Sequence, residues 1–179
     1  MVQYLEGIDG GMVMKNTLAV LVVNKPGVLA RIAGLLSRRV FNIESIAAGH
    51  TEEPDVTRIT IVVQDESHIL DQVIKQLSKL VDVIKIQELE SQDSIERELA
   101  LIKVAASPDR RSDIVDIVNI FRASIVDVNP ETMVIELTGD ENKINALCAV
   151  LEEHGIVELV RTGNIALSRS PIPTKKLAD

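Results

Sequence analysis

The residues best suited to hold a small molecule lie in the segment Asn24-Lys25-Pro26-Gly27-Val28-Leu29. A turn placed directly before a helix leaves backbone N–H groups without intrahelical acceptors, and such groups can receive a carboxylate. Gly27 lets a ligand approach the main chain closely, and the Asn24 amide can both donate and accept hydrogen bonds. The same residues also suit an ordinary strand-to-helix turn, with Asn and Pro supplying the turn chemistry. Asn42 invites two readings in the same way, as a second polar contact or as a loop residue entering a strand at Ile43.

Residues that could do covalent or acid–base chemistry are sparser. The chain has no Gly-x-Ser-x-Gly elbow, no His-Glu-x-x-His, no phosphate-binding Walker loop and no dinucleotide glycine fingerprint. Cys148 falls on an apolar helical stripe, where a cysteine acts as a small core residue. His154, next to Gly155, reads as a cation at a helix end. The carboxylate pairs Glu52-Glu53 and Glu152-Glu153 are consecutive, as on a solvated surface, and His50, His68 and His154 are scattered. We therefore expect no catalytic residue, no metal site and no cofactor in this chain.

The elements that must position the Asn24 turn follow from the hydrophobic period, which switches repeatedly between two residues and 3.6. Thr17–Val23 predicts a strand, and Val28, Leu29, Ile32, Leu35 and Leu36 predict one face of a helix. Ile43–Ala48 and Val56–Val63 predict strands, a stripe from Ile69 to Leu80 a second helix, and Val83–Leu89 a closing strand. The same order then repeats: a strand at Leu99–Ala105, a helix around Ile114–Phe121, a hairpin at Ser124–Val128 and Thr132–Leu137, a helix around Ile144–Leu151, and a strand at Ile156–Val160. The expected fold class is α+β, with two tandem ferredoxin-like (βαββαβ) units of antiparallel sheet carrying helices on one face. The expected boundaries are an amino-terminal extension over 1–15, units over 16–90 and 97–170, and a flexible tail over 171–179, with looseness setting in near Ser168.

Composition narrows the partners. With 46% apolar and 26% charged residues among 179, a folded core is expected. The longest apolar runs, Leu18–Val23 and Ala146–Leu151, have six residues, far short of the roughly 20 that a membrane-spanning helix needs. A net charge of −8 repels a phosphate backbone, and three aromatic residues offer no stacking platform, so neither nucleic acid nor membrane is an expected partner. The single cysteine suits a reducing compartment, and the first 13 residues carry no basic residue of the kind a signal or transit peptide needs, so a cytoplasmic location is expected. Units this small bury only about 60% of their extended surface, and an open sheet face around Ile61–Val63 with unpaired edges favours a homodimer.

The run Leu21-Val22-Val23-Asn24-Lys25-Pro26-Gly27-Val28-Leu29-Ala30-Arg31-Ile32 resembles the start of an ACT domain, the amino-acid-sensing ferredoxin-like module. Phe41-Asn42-Ile43-Glu44-Ser45-Ile46, at its distance behind that start, is similar to the small regulatory subunits of acetolactate synthase (acetohydroxyacid synthase). The likeness continues through Arg58–Ile61, Lys75–Val83 and Arg97–Val104. It then runs through Phe121–Ala123, Ile125–Val128, Glu136–Gly139, Arg161–Gly163 and Ala166–Arg169, covering about Thr17 to Ser170. The resemblance implies a non-catalytic subunit that binds a large catalytic subunit, raises its activity and makes it sensitive to valine in branched-chain amino-acid synthesis. The thiamine diphosphate, magnesium and FAD of the reaction are expected in that partner. In such a family valine sits between two ACT domains. Carried over, Asn24 and Asn42 would be polar clamps, the backbone at Gly27, Val28 and Leu29 would receive the carboxylate, and Ile43 would line the side-chain pocket. Val40 departs from the glycine usual before the aromatic-Asn-Ile string, which bears on how the helix ends and where Asn42 sits. A stand-alone ACT sensor regulating a different enzyme is the alternative, and a small ferredoxin-like enzyme such as a mutase or cyclase is a third reading that lacks a polar catalytic cluster.

Overall fold

The computed structural model describes residues 5–6, 12–37, 42–65, 67–171 and 174. The chain divides into two compact units, one formed by 1–95 with 164–179 and the other by 96–163.

In the first unit, strands β1 (Leu5–Glu6) and β2 (Met12–Val23) are followed by α1 (Val28–Ser37), β3 (Asn42–His50), β4 (Val56–Asp65), α2 (Ser67–Leu77) and β5 (Val83–Leu89). The antiparallel sheet runs β5-β2-β4-β3, with β1 laid along Met12–Val13. Alternation along β2 and β4 sends Leu18, Val20, Val22, Ile59, Ile61 and Val63 to one face, against Val28, Ile32 and Leu36 of α1 and Leu70, Val73 and Leu77 of α2. Each such side chain contributes roughly 1.5–3 kcal/mol when fully buried.

The second unit repeats this plan with β6 (Ser94–Ala105), α3 (Arg111–Phe121), β7 (Ser124–Val128), β8 (Thr132–Gly139), α4 (Glu141–Leu151) and β9 (Ile156–Arg161), in sheet order β9-β6-β8-β7. Its core joins Ile102, Val104, Ile135 and Leu137 to Ile114, Val118, Ile144 and Leu147. The irregularities repeat as well. The β3–β4 register slips between Ile43 and Ser45 and the β7–β8 register between Ile125 and Asp127. Likewise β2–β5 slips at Leu21/Val22, and β6–β9 at Lys103/Val104. Two bulges at matching places mark the units as copies of one design, since a bulge fixes twist and register locally.

Several expectations are corrected. The first strand starts at Met12, inside the expected 1–15 extension, because its early residues pair with Gln64 and Asp65 of β4. Leu29 is 45% exposed rather than on the buried face of α1, the stripe being Val28, Ile32 and Leu36. α2 stops at Leu77, so Leu80 lies in the following turn, where its N–H donates to Leu77 O at 3.0 Å.

In the carboxy-terminal stretch β10 (Ile165–Ser168) is hydrogen-bonded to β6. The segment from Asn164 clusters with the first unit, where Ala166 is buried with Ala19 and Leu89 on the sheet face away from the helices. Arg169 N–H donates to Asp93 O at 2.8 Å, and the Thr174 hydroxyl donates to Gln87 Oε1, so the chain is held at Arg169 and Thr174 rather than loose from Ser168. Ile61, Val62 and Val63 are already buried within one chain, so they are not available as an open face. The rest of the expected tail, 172–173 and 175–179, and Val40 lie outside the described residues. Among the described residues no helix is long and apolar enough to cross a membrane.

Candidate functional site

The Asn24 turn is anchored at both ends by main-chain bonds. Val23 N–H donates to Asp82 O at 2.9 Å, and Asn24 N–H donates to Asp55 O at 2.7 Å. The Asn24 side chain donates through Nδ2 to Pro54 O at 3.2 Å, which fixes the amide and turns Oδ1 into the acceptor end of the site. Gly27 has φ +84°, a left-handed conformation costly for residues with a Cβ, so glycine here is a requirement of the turn.

Helix α1 begins immediately after. Its first i→i−4 bond runs from Arg31 N–H to Gly27 O at 3.0 Å, so the N–H groups of Leu29 and Ala30 have no acceptor inside the helix. The first turn of α1 has no acidic residue to supply a countercharge. Arg31 grips Asp82 with Nη2 at 2.7 Å and Nε at 3.1 Å, holding the helix start against the turn before β5. An exposed leucine, an oriented amide oxygen and unpaired N–H groups at a helix start together suit a carboxylate with a nearby ammonium group and an aliphatic side chain.

The remaining residues proposed from sequence do not join this cluster within one chain. Asn24 adjoins Val23, which pairs with Val56, whereas Asn42 pairs with Gln64. Eight residues of β4 separate these positions, roughly 26 Å at strand rise. Ile43 is half-buried and packs on the core of the first unit beside the bulge. The Asn42 side chain lies outside the described residues. Asn24, Gly27, Val28 and Leu29 therefore lie together at one end of the sheet, with Asn42 and Ile43 at the other.

Sequence reasoning missed the hairpin Thr51–Val56 as the support of Asn24, and the Arg31–Asp82 pair. Pro54-Asp55 is a turn signal, but only the strand register brings it to Asn24. Among the described residues no three His, Cys, Asp or Glu side chains converge as a metal site. Cys148 is half-buried against the second core.

Residues 18–85 match the family model of the AHAS small subunit-like ACT domain, and residues 97–170 match that of the small subunit of acetolactate synthase. The probable acetolactate synthase small subunit of Archaeoglobus fulgidus is 54% identical over 156 residues, covering 87% of this chain and 98% of that protein. The acetolactate synthase small subunit of Mycobacterium bovis is 53% identical, covering 87% and 93%. The crystal structure of the acetolactate synthase small subunit from Thermotoga maritima superposes with a TM-score of 0.81 at 38% identity, covering 88% of this chain and 99% of that one. An ACT-type first unit, a matched second unit and identity over almost the whole of such relatives place this chain in the acetolactate synthase small-subunit family.

Proposed function

We propose that this chain is the non-catalytic regulatory subunit of an acetolactate synthase, binding a large catalytic subunit, stimulating it and conferring inhibition by valine. Its support is the membership just established, joined to one observation: the Asn24 turn presents an open helix start and an oriented amide, with Asn42 at the opposite end of the sheet. Because one chain holds these groups at opposite ends of its sheet, the reading requires a second copy whose Asn42 and Ile43 complete the pocket against Asn24, Gly27, Val28 and Leu29. Valine bound there favours a dimer geometry that the catalytic subunit reads as inhibitory. Coupling of this kind amounts to about 1–3 kcal/mol, and reciprocity requires that valine change affinity for the large subunit by the same factor. Thiamine diphosphate, magnesium and FAD reside in the large subunit in this reading.

Reconstitution with the large subunit tests it. The double variant Asn24→Ala with Gly27→Asp removes the amide and places a carboxylate where the ligand's would sit. It is expected to stimulate normally and to lose valine inhibition. Retained valine sensitivity sinks the site, and failure of the wild-type chain to bind or stimulate the large subunit sinks the function.

A further inference from the structure

The return of the chain onto the first unit forms an open cleft with a cavity volume of about 470 Å³ on the sheet face away from α1 and α2. That volume falls in the range of roughly 300–1,000 Å³ occupied by small-molecule sites. All its lining residues belong to the first unit, and none belongs to the Asn24 turn. Leu21 and Ile84 from the sheet and Leu167 from the returning segment give it an apolar wall.

Charges of both signs stand beside that wall. Arg58 of β4 is half-buried, and its Nη2 donates to Ala166 O at 2.7 Å. A guanidinium carries five N–H donors in a planar fork, so this bond leaves donor capacity suited to a carboxylate. Burial lowers the Arg58 pKa, with the nearby Glu52 charge opposing that effect. Glu52 and Glu53, from the hairpin between β3 and β4, bring negative charge to the same cavity. A phosphate or dicarboxylate would meet those two carboxylates, and a hydrocarbon would leave the polar groups of the lining without a partner in the ligand. A ligand with one carboxylate, one ammonium group and an aliphatic body satisfies all three surfaces.

We propose that this cavity is a second amino-acid site, taking an aliphatic α-amino acid with its carboxylate toward Arg58, its ammonium toward Glu52 and Glu53, and its side chain on Leu21, Ile84 and Leu167. Its hairpin wall is the same segment that holds Asn24, through Asp55 O and Pro54 O. An occupant therefore braces the support of the first site. That regulatory consequence rests on the valine reading, whereas binding in the cavity does not.

Isothermal titration of the full-length chain tests the site, using leucine and valine with 4-methyl-2-oxopentanoate and isopentylamine as singly charged analogues. The Asn24→Ala variant is expected to keep saturable binding of an aliphatic amino acid at one per chain. Leu167→Trp, at a position 60% exposed and so tolerant of bulk, should weaken that binding about tenfold or more by filling the cavity. Arg58→Gln should weaken it by a similar factor, the loss of a charge-assisted bond, and each analogue should bind at least that much more weakly. The proposal is overturned if Asn24→Ala abolishes all amino-acid binding, if Leu167→Trp leaves the remaining binding unchanged, or if either analogue matches the amino acid. Failure of the valine reading has a separate signature, valine inhibition that survives Asn24→Ala with Gly27→Asp.

Discussion

The turn after the first strand is built twice in this molecule, and the two versions differ where a ligand would sit. Matching bulges and core residues align Asn24 with Ala106, Gly27 with Asp109, Leu29 with Arg111 and Ile32 with Ile114. Two main-chain anchors are the same in both: Ala106 N–H donates to Glu131 O at 2.8 Å as Asn24 N–H donates to Asp55 O, and Ala105 N–H donates to Gly155 O at 2.9 Å as Val23 N–H donates to Asp82 O. In the second unit, however, the turn is filled by its own side chains. Arg111 donates to the carbonyls of Ala106 at 3.1 Å and of Asn129 and Pro130 at 2.7 Å each. Asp109 sits at the helix entrance with its carboxylate held by Ser107. The first unit offers glycine, an exposed leucine and an amide at those places. One scaffold thus carries a closed turn that stabilises and an open turn fit to receive a carboxylate from outside.

Core truncation gives the largest expected effects and measures how separate the units are. Ile32→Ala and Ile114→Ala each empty a fully buried site and should destabilise their own unit by about 2–5 kcal/mol. Hydrogen exchange read unit by unit should show each loss confined to the altered half. Equal loss of protection in both halves would mean that the units unfold together. Next in size, Arg111→Ala should cost about 1–3 kcal/mol in denaturant unfolding, because three carbonyls lose their donor. Its counterpart Leu29→Ala should cost under about 1 kcal/mol, since that side chain is largely exposed. A reversed order would break the contrast between the closed and the open turn.

Gly27→Ala should cost roughly 1–2 kcal/mol from left-handed strain, its Cβ meeting nothing closer than Arg31 Nη1 at 3.6 Å. Asp109→Ala carries no such backbone penalty, because Arg122 is the one non-glycine residue with positive φ among those described. The smallest effects concern pH. Hydrogen bonds from the Ser107 side chain and the Asp109 backbone, with the Arg110 charge assisting, hold the Asp109 carboxyl below its ordinary value. That contribution is present above the unfolded pKa and is lost as pH falls through the folded one. Glu88 in the first unit is shifted up by burial and by the charges of Glu90 and Asp71, so its contribution is present below the unfolded pKa and fades as pH rises through the folded one. Carboxyl carbon shifts followed by NMR should show Asp109 titrating below, and Glu88 above, the ordinary range for its type. Coincidence of either with its ordinary value would remove the opposed pH responses.

Much of the architecture was legible because local patterns sufficed for it. Leu18, Val20 and Val22 alternate, while Ile114 and Val118 repeat at helical spacing, and each pattern leaves one low-energy way to bury its residues. Leu29 and Leu80 show the limit of that reading. Leu29 is apolar and near the α1 stripe, yet a rotation of about 100° from Val28 carries it to the surface. Leu80 continues the α2 period in sequence after the helix has ended. In the candidate site, the turn at Asn24 and Gly27 was legible because turn chemistry is local. The support from Pro54 and Asp55 was not, since it depends on strand register 30 residues away.

The sequence by itself determined the element order, the duplication, the open turn at Asn24–Leu29 and the family, because each is written in contiguous residues or in spacing along the chain. Tertiary structure alone decided that Asn24 and Asn42 occupy opposite ends of one sheet and that β10 returns to cover the first unit and form an open cleft beside Arg58. The physical reason is range. Propensity and periodicity act over a few residues, whereas Arg58 meets the Ala166 carbonyl across 108 positions, a contact specified only once the chain has returned onto the first unit.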